Sequence, residues 1–309
     1  MTRNQLQIFD SNPRELYGEM NDPMRWLTWL AEHRLTRNTN DCPVCQQRMT
    51  FVRRAESPEG FSWKCRGCNT RASVRTGSFF AQCVLGIDKL LMMIYYWTHE
   101  VKATHVMLFE DIDSWHTMVN YNNFFRSECA TWLNTQQVDL GGFDGNGQPM
   151  YVEVDETYYF HRKYHRGRRR QGCWVVGIIE RATRRCWLEI VASRDAATLE
   201  RIITAHDLPG SIIVTDAWAG YNNVGIINNG VYDHQVVIHA QNFVDPVHND
   251  VHTRTIEGLW MHAKRKLRYQ SGTSRQLFPS YLAEFQWRHS YRTHVLGQYL
   301  TMLSDNYAI

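Results

Sequence analysis

At 309 residues the chain exceeds one typical domain and has room for a catalytic domain of ordinary size plus smaller modules. A hydrophobic content of 43% against 21% charged residues excludes a disordered chain and predicts a buried core. The net charge of +3 does not by itself announce a polyanionic partner, so the distribution of charge has to carry that question.

The N-terminal MTRNQLQIFD lacks an apolar core of signal-peptide length, and the longest apolar stretch, Leu90–Trp97, is too short to span a bilayer. The expectation is a soluble intracellular protein without a membrane partner. Within residues 1–40, DPMRWLTWLAEHRL reads as a helix: Asp22 can cap it, Pro23 suits its first turn, and Trp26, Leu27, Leu30 and Leu35 share one face.

Residues 41–80 contain two CxxC knuckles, Cys42 with Cys45 and Cys65 with Cys68, around short strand patterns (MTFVRRAE, GFSWKC) and the turn Ser57 to Gly60. Eight cysteines in a reducing compartment are a poor disulfide framework, whereas four thiolates at this spacing suit one structural zinc, as in a zinc ribbon. A redox-active CxxC would need a βαβ context that the segment lacks. Residues 81–140 carry helical periodicity in IDKLLMMIYYWTHE, THVMLFEDI and SWHTMVNYNNFFRSECATWL, the last opening at Ser114. Three helices with short joints are compatible with a helix-turn-helix-like DNA-binding module, and equally with any small helical bundle.

GGFDGNGQ (141–148) is a run of turn formers and a natural boundary before a domain over 141–309. MYVEVDETYYF (150–160), GCWVVGIIER (172–181) and RCWLEIVAS (185–193) read as an antiparallel meander. DAATLERIITAH (195–206) reads as a helix, SIIVT (211–215) and HQVVI (234–238) as strands, and RTIEGLWMHAKRKL (254–267) as a final helix. The resulting fold class is α/β: an RNase H-like mixed sheet flanked by helices, preceded by the zinc ribbon and the helical module. Such a sheet sets Asp155 and Asp216 side by side at strand ends, with Glu257 approaching from the last helix. Lys264 lies about two helical turns beyond Glu257 on the same face. Three carboxylates around a cleft suit Mg²⁺ and phosphodiester chemistry, although a chain with 31 acids contains many triplets and a strand-end Asp is often a turn former.

The strings VDETYYFHRKYHRGR and WVVGIIER, SRDAATLERII, TDAWAGY (215–221) and HTRTIEGLWMHAKRKLR (252–268) together resemble the Merlin superfamily of cut-and-paste transposases and its bacterial insertion-sequence relatives. The resemblance spans roughly residues 150–290, and those relatives also place a zinc ribbon and a helix-turn-helix-like segment upstream. It implies that Asp155, Asp216 and Glu257 form a triad for two Mg²⁺ or Mn²⁺ ions and that Lys264 matches a basic residue after the third acid. Glu153 shares the strand face of Asp155. It further implies a double-stranded DNA substrate, terminal inverted repeats cleaved by water and joined to target DNA through a 3′-hydroxyl, and a homodimer or higher oligomer on DNA.

Cations gather in HRKYHRGRRR (161–170) and KRKLR (264–268), so Arg166, Arg168, Arg169, Arg170, Lys264 and Arg265 are the expected phosphate contacts, against the plainer reading of solvated surface. In a eukaryotic host these runs would also serve nuclear import, and otherwise the protein belongs with the nucleoid in the cytoplasm. Tyr158, Tyr159 and Trp218 could stack on splayed bases or serve as ordinary core and rim aromatics. A domesticated, catalytically inactive zinc-ribbon DNA-binding protein derived from a transposase is the competing expectation.

Overall fold

The computed structural model describes residues 3–7, 9–160, 172–237, 251–270 and 272–307. The chain divides into two compact units, Met1–Trp132 with Tyr291–Ile309, and Leu133–Ser290.

The first unit opens with α1 (Arg3–Gln7), α2 (Pro13–Met20) and α3 (Pro23–Glu32). Asp22 accepts the Met24 N–H at 2.9 Å and Pro23 occupies the first turn of α3, as its sequence predicts. Trp26, Leu27, Leu30 and Leu35 are buried. A three-stranded antiparallel sheet follows, β1 (Thr50–Arg53), β2 (Phe61–Lys64) and β3 (Arg71–Ala72), in that order. Its first turn closes through Gly60, whose N–H meets the Ser57 carbonyl at 2.9 Å and whose φ of 73° favours glycine. Three helices come next, α4 (Ile87–Thr98), α5 (Ala103–Phe109) and α6 (Trp115–Thr135), with the Ser114 hydroxyl accepting the Thr117 N–H at 3.3 Å.

Residues 291–309 fall with this first unit. The reason is local. In α10 (Val295–Asn306), Tyr299 packs its ring 4.9 Å from that of Trp97 and donates to the Phe125 carbonyl, while Asn306 and Tyr307 each donate to the buried Glu128 carboxylate at 2.9 Å.

The second unit is a mixed α/β layer structure. Its strands are β4 (Leu140–Gly141), β5 (Tyr151–Tyr159), β6 (Cys173–Glu180), β7 (Cys186–Val191), β8 (Asp207–Leu208), β9 (Ile212–Asp216) and β10 (Asp233–Val237). Five of them form one sheet in the order β10-β9-β5-β6-β7; β5, β6 and β7 make the expected antiparallel meander, and β9 and β10 run parallel to β5. Short β4 and β8 pair in parallel beside it.

Sheet faces follow the period-two alternation of β5. Val152 and Val154 join Val176, Ile178 and Ile213 in a core with Leu199, Ile202 and Ile203 of α7 (Ala196–His206). On the other face Tyr159, Val175, Ile179 and Leu188 pack with Ile256, Leu259 and Trp260 of α8 (Arg254–Tyr269) and with Phe278 and Leu282 of α9 (Phe278–Ser290). Beneath α8 and α9, Glu284 is fully buried between Lys266 and Arg288, an ion triad that ties the two helices together.

Candidate active site and metal centre

The β5–β9 ladder aligns Tyr151 with Ile212, Val152 with Ile213 and Glu153 with Val214. Continued in the same register, it sets Asp155 beside Asp216. Asp155 Oδ2 accepts the Trp260 indole N–H at 2.9 Å, and Asp216 Oδ1 accepts the Trp218 backbone N–H at 2.9 Å. Burial pushes the Asp155 carboxyl up to about 6, with the charges of Glu156 and Asp216 adding to the effect and the Trp260 bond opposing it. Among the described residues neither aspartate forms an ion pair. A part-buried carboxylate beside a second one, neither of them in a salt bridge, fits a divalent metal, which would favour the ionised form of both.

Helix α8 is held over this strand by side chains of β5. Glu153 is fully buried; it accepts the Ile256 N–H at 2.9 Å and pairs with Arg181 at 2.8 Å, and Arg181 also reaches the His252 carbonyl. The sequence left Glu153 open as a neighbour of the triad on the same strand face. The structure commits it to the first turn of α8, where the exposed helix N–H groups attract a carboxylate. Trp260 reaches Asp155 because Gly177, directly across the ladder from it, has no side chain: a Cβ there would lie 2.6 Å from the indole ring. Glu257 stands exposed in the first turn of α8, three residues before Trp260 and so on its side of the helix. Its carboxylate accepts from Thr253 Oγ1 at 3.3 Å.

Lys264 donates to the Thr157 hydroxyl, two positions along β5 from Asp155, and its Nζ lies 5.3 Å from the centre of the Tyr159 ring. Burial and, next, Arg268 draw its ammonium below the usual lysine range, while Asp155 acts in the opposite sense. The KRKLR run therefore splits by environment: Lys264 is half-buried against β5, Arg265 and Arg268 are exposed, and Lys266 belongs to the Glu284 triad. Arg166, Arg168, Arg169 and Arg170 lie outside the described residues.

On the opposite face of β5, Glu156 accepts from Arg194 at 2.8 Å and from the Tyr221 hydroxyl at 2.6 Å. The Arg194 guanidinium sits 3.8 Å from the Trp218 ring centre and 4.4 Å from that of Trp174. Sequence reading did not find Arg194, Trp174 or Trp260; the one signal available was the helical spacing of Trp260 from Glu257. Tyr159 is buried in the core under α8 and α9, which settles it as a packing residue, whereas Tyr158 and Trp218 are exposed.

In the first unit Cys42, Cys45, Cys65 and Cys68 bring their sulfurs within 4.8 Å of one another, the one such group of His, Cys, Asp or Glu among the described residues. The Cys42–Cys68, Cys45–Cys65 and Cys45–Cys68 separations are 3.4, 3.3 and 3.6 Å. Zinc–sulfur bonds of roughly 2.3 Å in a tetrahedron give sulfur–sulfur edges of about 3.8 Å, so the four thiols are positioned to bind one metal ion, with zinc the fitting choice. Each knuckle turns through a left-handed residue after its second cysteine, Gln46 at φ 58° and Asn69 at φ 56°. The hydroxyl and then the backbone of Thr70 draw the Cys68 thiol down to about 6, toward the ligating thiolate. The three carboxylates Asp155, Asp216 and Glu257 are not drawn together as closely as these sulfurs.

Residues 146–290 match the ISXO2-like transposase domain, a stretch that covers the five-stranded sheet and helices α7 to α9. The match supports an insertion-sequence transposase. No curated protein matches the chain. No helix among the described residues is long and apolar enough to cross a membrane.

Proposed function

We propose that this chain is a DDE transposase of the Merlin-like kind, whose second unit is an RNase H-like catalytic domain that cleaves transposon ends and joins them to target DNA. The observation that carries the reading is the parallel β5–β9 register, which, continued past Glu153 and Val214, puts Asp155 beside Asp216, neither in a salt bridge, inside the stretch that matches a transposase domain. The strand order β10-β9-β5-β6-β7, with helices on both faces, supports the fold assignment.

Asp155, Asp216 and Glu257 would hold two Mg²⁺ or Mn²⁺ ions, which supply activation of the attacking oxygen and neutralisation of the leaving one. The chain's own residues prepare that site. Trp260 orients the Asp155 carboxylate through its Oδ2; Glu153 anchors the helix that presents Glu257; Lys264, held at Thr157, offers an ammonium to a phosphate beside the cut. The substrate is double-stranded DNA with terminal inverted repeats, handled by two or more copies of the chain. The domesticated alternative has less support, since all three acids and their supporting bonds are in place.

The test is cleavage and joining of DNA carrying the element's own ends, with Mg²⁺ or Mn²⁺ supplied or withheld. Asp155→Ala, Asp216→Ala and Glu257→Ala should each lose roughly a thousandfold in rate or more while still binding the ends, because the metals act on charge that develops in the transition state. Persistent cleavage by Asp155→Ala would overturn the reading. Normal cleavage by Glu257→Ala alone would move the third ligand elsewhere, and the buried, fully engaged Glu153 is not the replacement.

A further inference from the structure

Asp216 ends its strand, and the loop that follows decides where its carboxylate points. That loop is tied back to the first catalytic strand by an unbroken series of contacts. The Trp218 backbone N–H binds Asp216 Oδ1 at 2.9 Å; the Trp218 indole N–H donates to the Arg194 carbonyl at 3.3 Å; the Arg194 guanidinium lies 3.8 Å from the Trp218 ring centre and pairs with Glu156 at 2.8 Å. Glu156 adjoins Asp155 in sequence but faces the other side of the sheet, where it is almost fully buried and also receives the Tyr221 hydroxyl at 2.6 Å. Trp174 packs on the guanidinium as well, 4.4 Å from its ring centre to the carbon.

From this we infer that Glu156, Arg194 and Trp218 are positioning residues that lock the Asp216 carboxylate relative to Asp155. The inference deepens the proposed function and rests on it. A planar guanidinium contacts two rings and pairs with a carboxylate through a fixed fork of donors, a geometry that a compact ammonium reproduces less well, so the bridge favours arginine. It also explains why an acid follows Asp155 directly: β5 places consecutive residues on opposite faces, so one strand supplies a ligand to the metal face and an anchor to the reverse face. A ligand whose rotamer is held by such a partner binds metal more tightly than one that must be ordered on binding.

The experiment uses the zinc-loaded full chain and two readouts, hydrogen exchange of the peptide over 214–221 and binding of Mn²⁺ alone followed by the spin resonance of free Mn²⁺. In Arg194→Ala and Glu156→Ala, exchange at 214–221 should accelerate about tenfold or more while 173–180 keeps its protection. Mn²⁺ should bind about tenfold more weakly. Trp218→Phe keeps a ring for Arg194 but lacks the indole N–H, and Arg194→Lys keeps the charge but not the plane; each should shift both readouts in the same direction by less, and these milder variants serve if an alanine variant fails to fold. Unchanged exchange overturns the bridge, and faster exchange with undiminished Mn²⁺ binding overturns its role toward the metal. Equal Mn²⁺ binding by Asp155→Ala and the parent is a distinct result: it removes the metal from this site, and with it both the functional reading and the positioning role.

Discussion

Asp155 is held where its proton is hard to lose. Its carboxyl titrates at about 6 in the folded, metal-free chain against an ordinary value of 3.8, so the folded state binds that proton more tightly than the unfolded state does. The contribution to stability is therefore full below about pH 4 and is lost as pH rises through 6. At pH 7.5 the ionised, buried carboxylate costs about 3 kcal/mol, the rise from 3.8 to about 6 taken at roughly 1.4 kcal/mol per pH unit. Asp155→Asn should accordingly stabilise the metal-stripped protein at pH 7.5 by about that amount and bring no such gain near pH 4, as read by denaturant unfolding at the two pH values. Equal effects at both would mean that burial of the carboxyl is not the cause. Across the ladder, Gly177 is defined by what it lacks. Gly177→Ala would press a methyl group against the Trp260 indole and Leu188, and should cost roughly 1–3 kcal/mol and loosen the bond to Asp155. An unperturbed midpoint and unchanged tryptophan emission would show that the ring has room to move.

At the scale of elements, the ribbon and α8 illustrate two ways of fixing a short segment. A sheet of three short strands buries little: its core is Cys42, Met49, Trp63 and Cys65, so the bound ion has to supply much of its folding free energy. Cys65→Ser should lower bound zinc from about one equivalent per chain to well below it and expose the ribbon to proteolysis. Retention of a full equivalent would place the zinc on other ligands. Helix α8 instead depends on protein groups alone. Its strongly two-sided sequence buries Ile256, Leu259, Trp260 and Ala263, while Glu153 receives its first turn and Glu284 ties down Lys266 near its end. The face of the helix that carries Glu257 is thus set by two buried acids, Glu153 and Glu284.

For the whole molecule, a net charge of +3 would leave the DNA binding we propose to local clusters. Replacing Arg166, Arg168, Arg169 and Arg170 with Ala should weaken binding to all DNA sequences alike and reduce the salt slope by roughly one unit per lost phosphate contact. An unchanged slope assigns that run to plain surface. On the proposed function, binding and chemistry should separate across the two sets of variants, since the arginines would act on the ground state and the carboxylates on the transition state.

Periodicity and spacing alone determined the cysteine set, the caps at Asp22 and Ser114, the β5 to β7 meander and α7. These are local properties: a period of two or 3.6, a turn former or a knuckle is written in neighbouring residues. Only the tertiary structure decided that Glu153 caps α8 while Asp155 faces the site, that Trp260 reaches Asp155 through the space left by Gly177, and that Arg194 joins Glu156 to Trp218. Three acids in four residues of one strand look alike in sequence. Their surroundings diverge because alternation sends Glu156 to one face and Glu153 and Asp155 to the other, and because partners distant in the chain, Ile256, Trp260 and Arg194, give each carboxylate a different set of bonds.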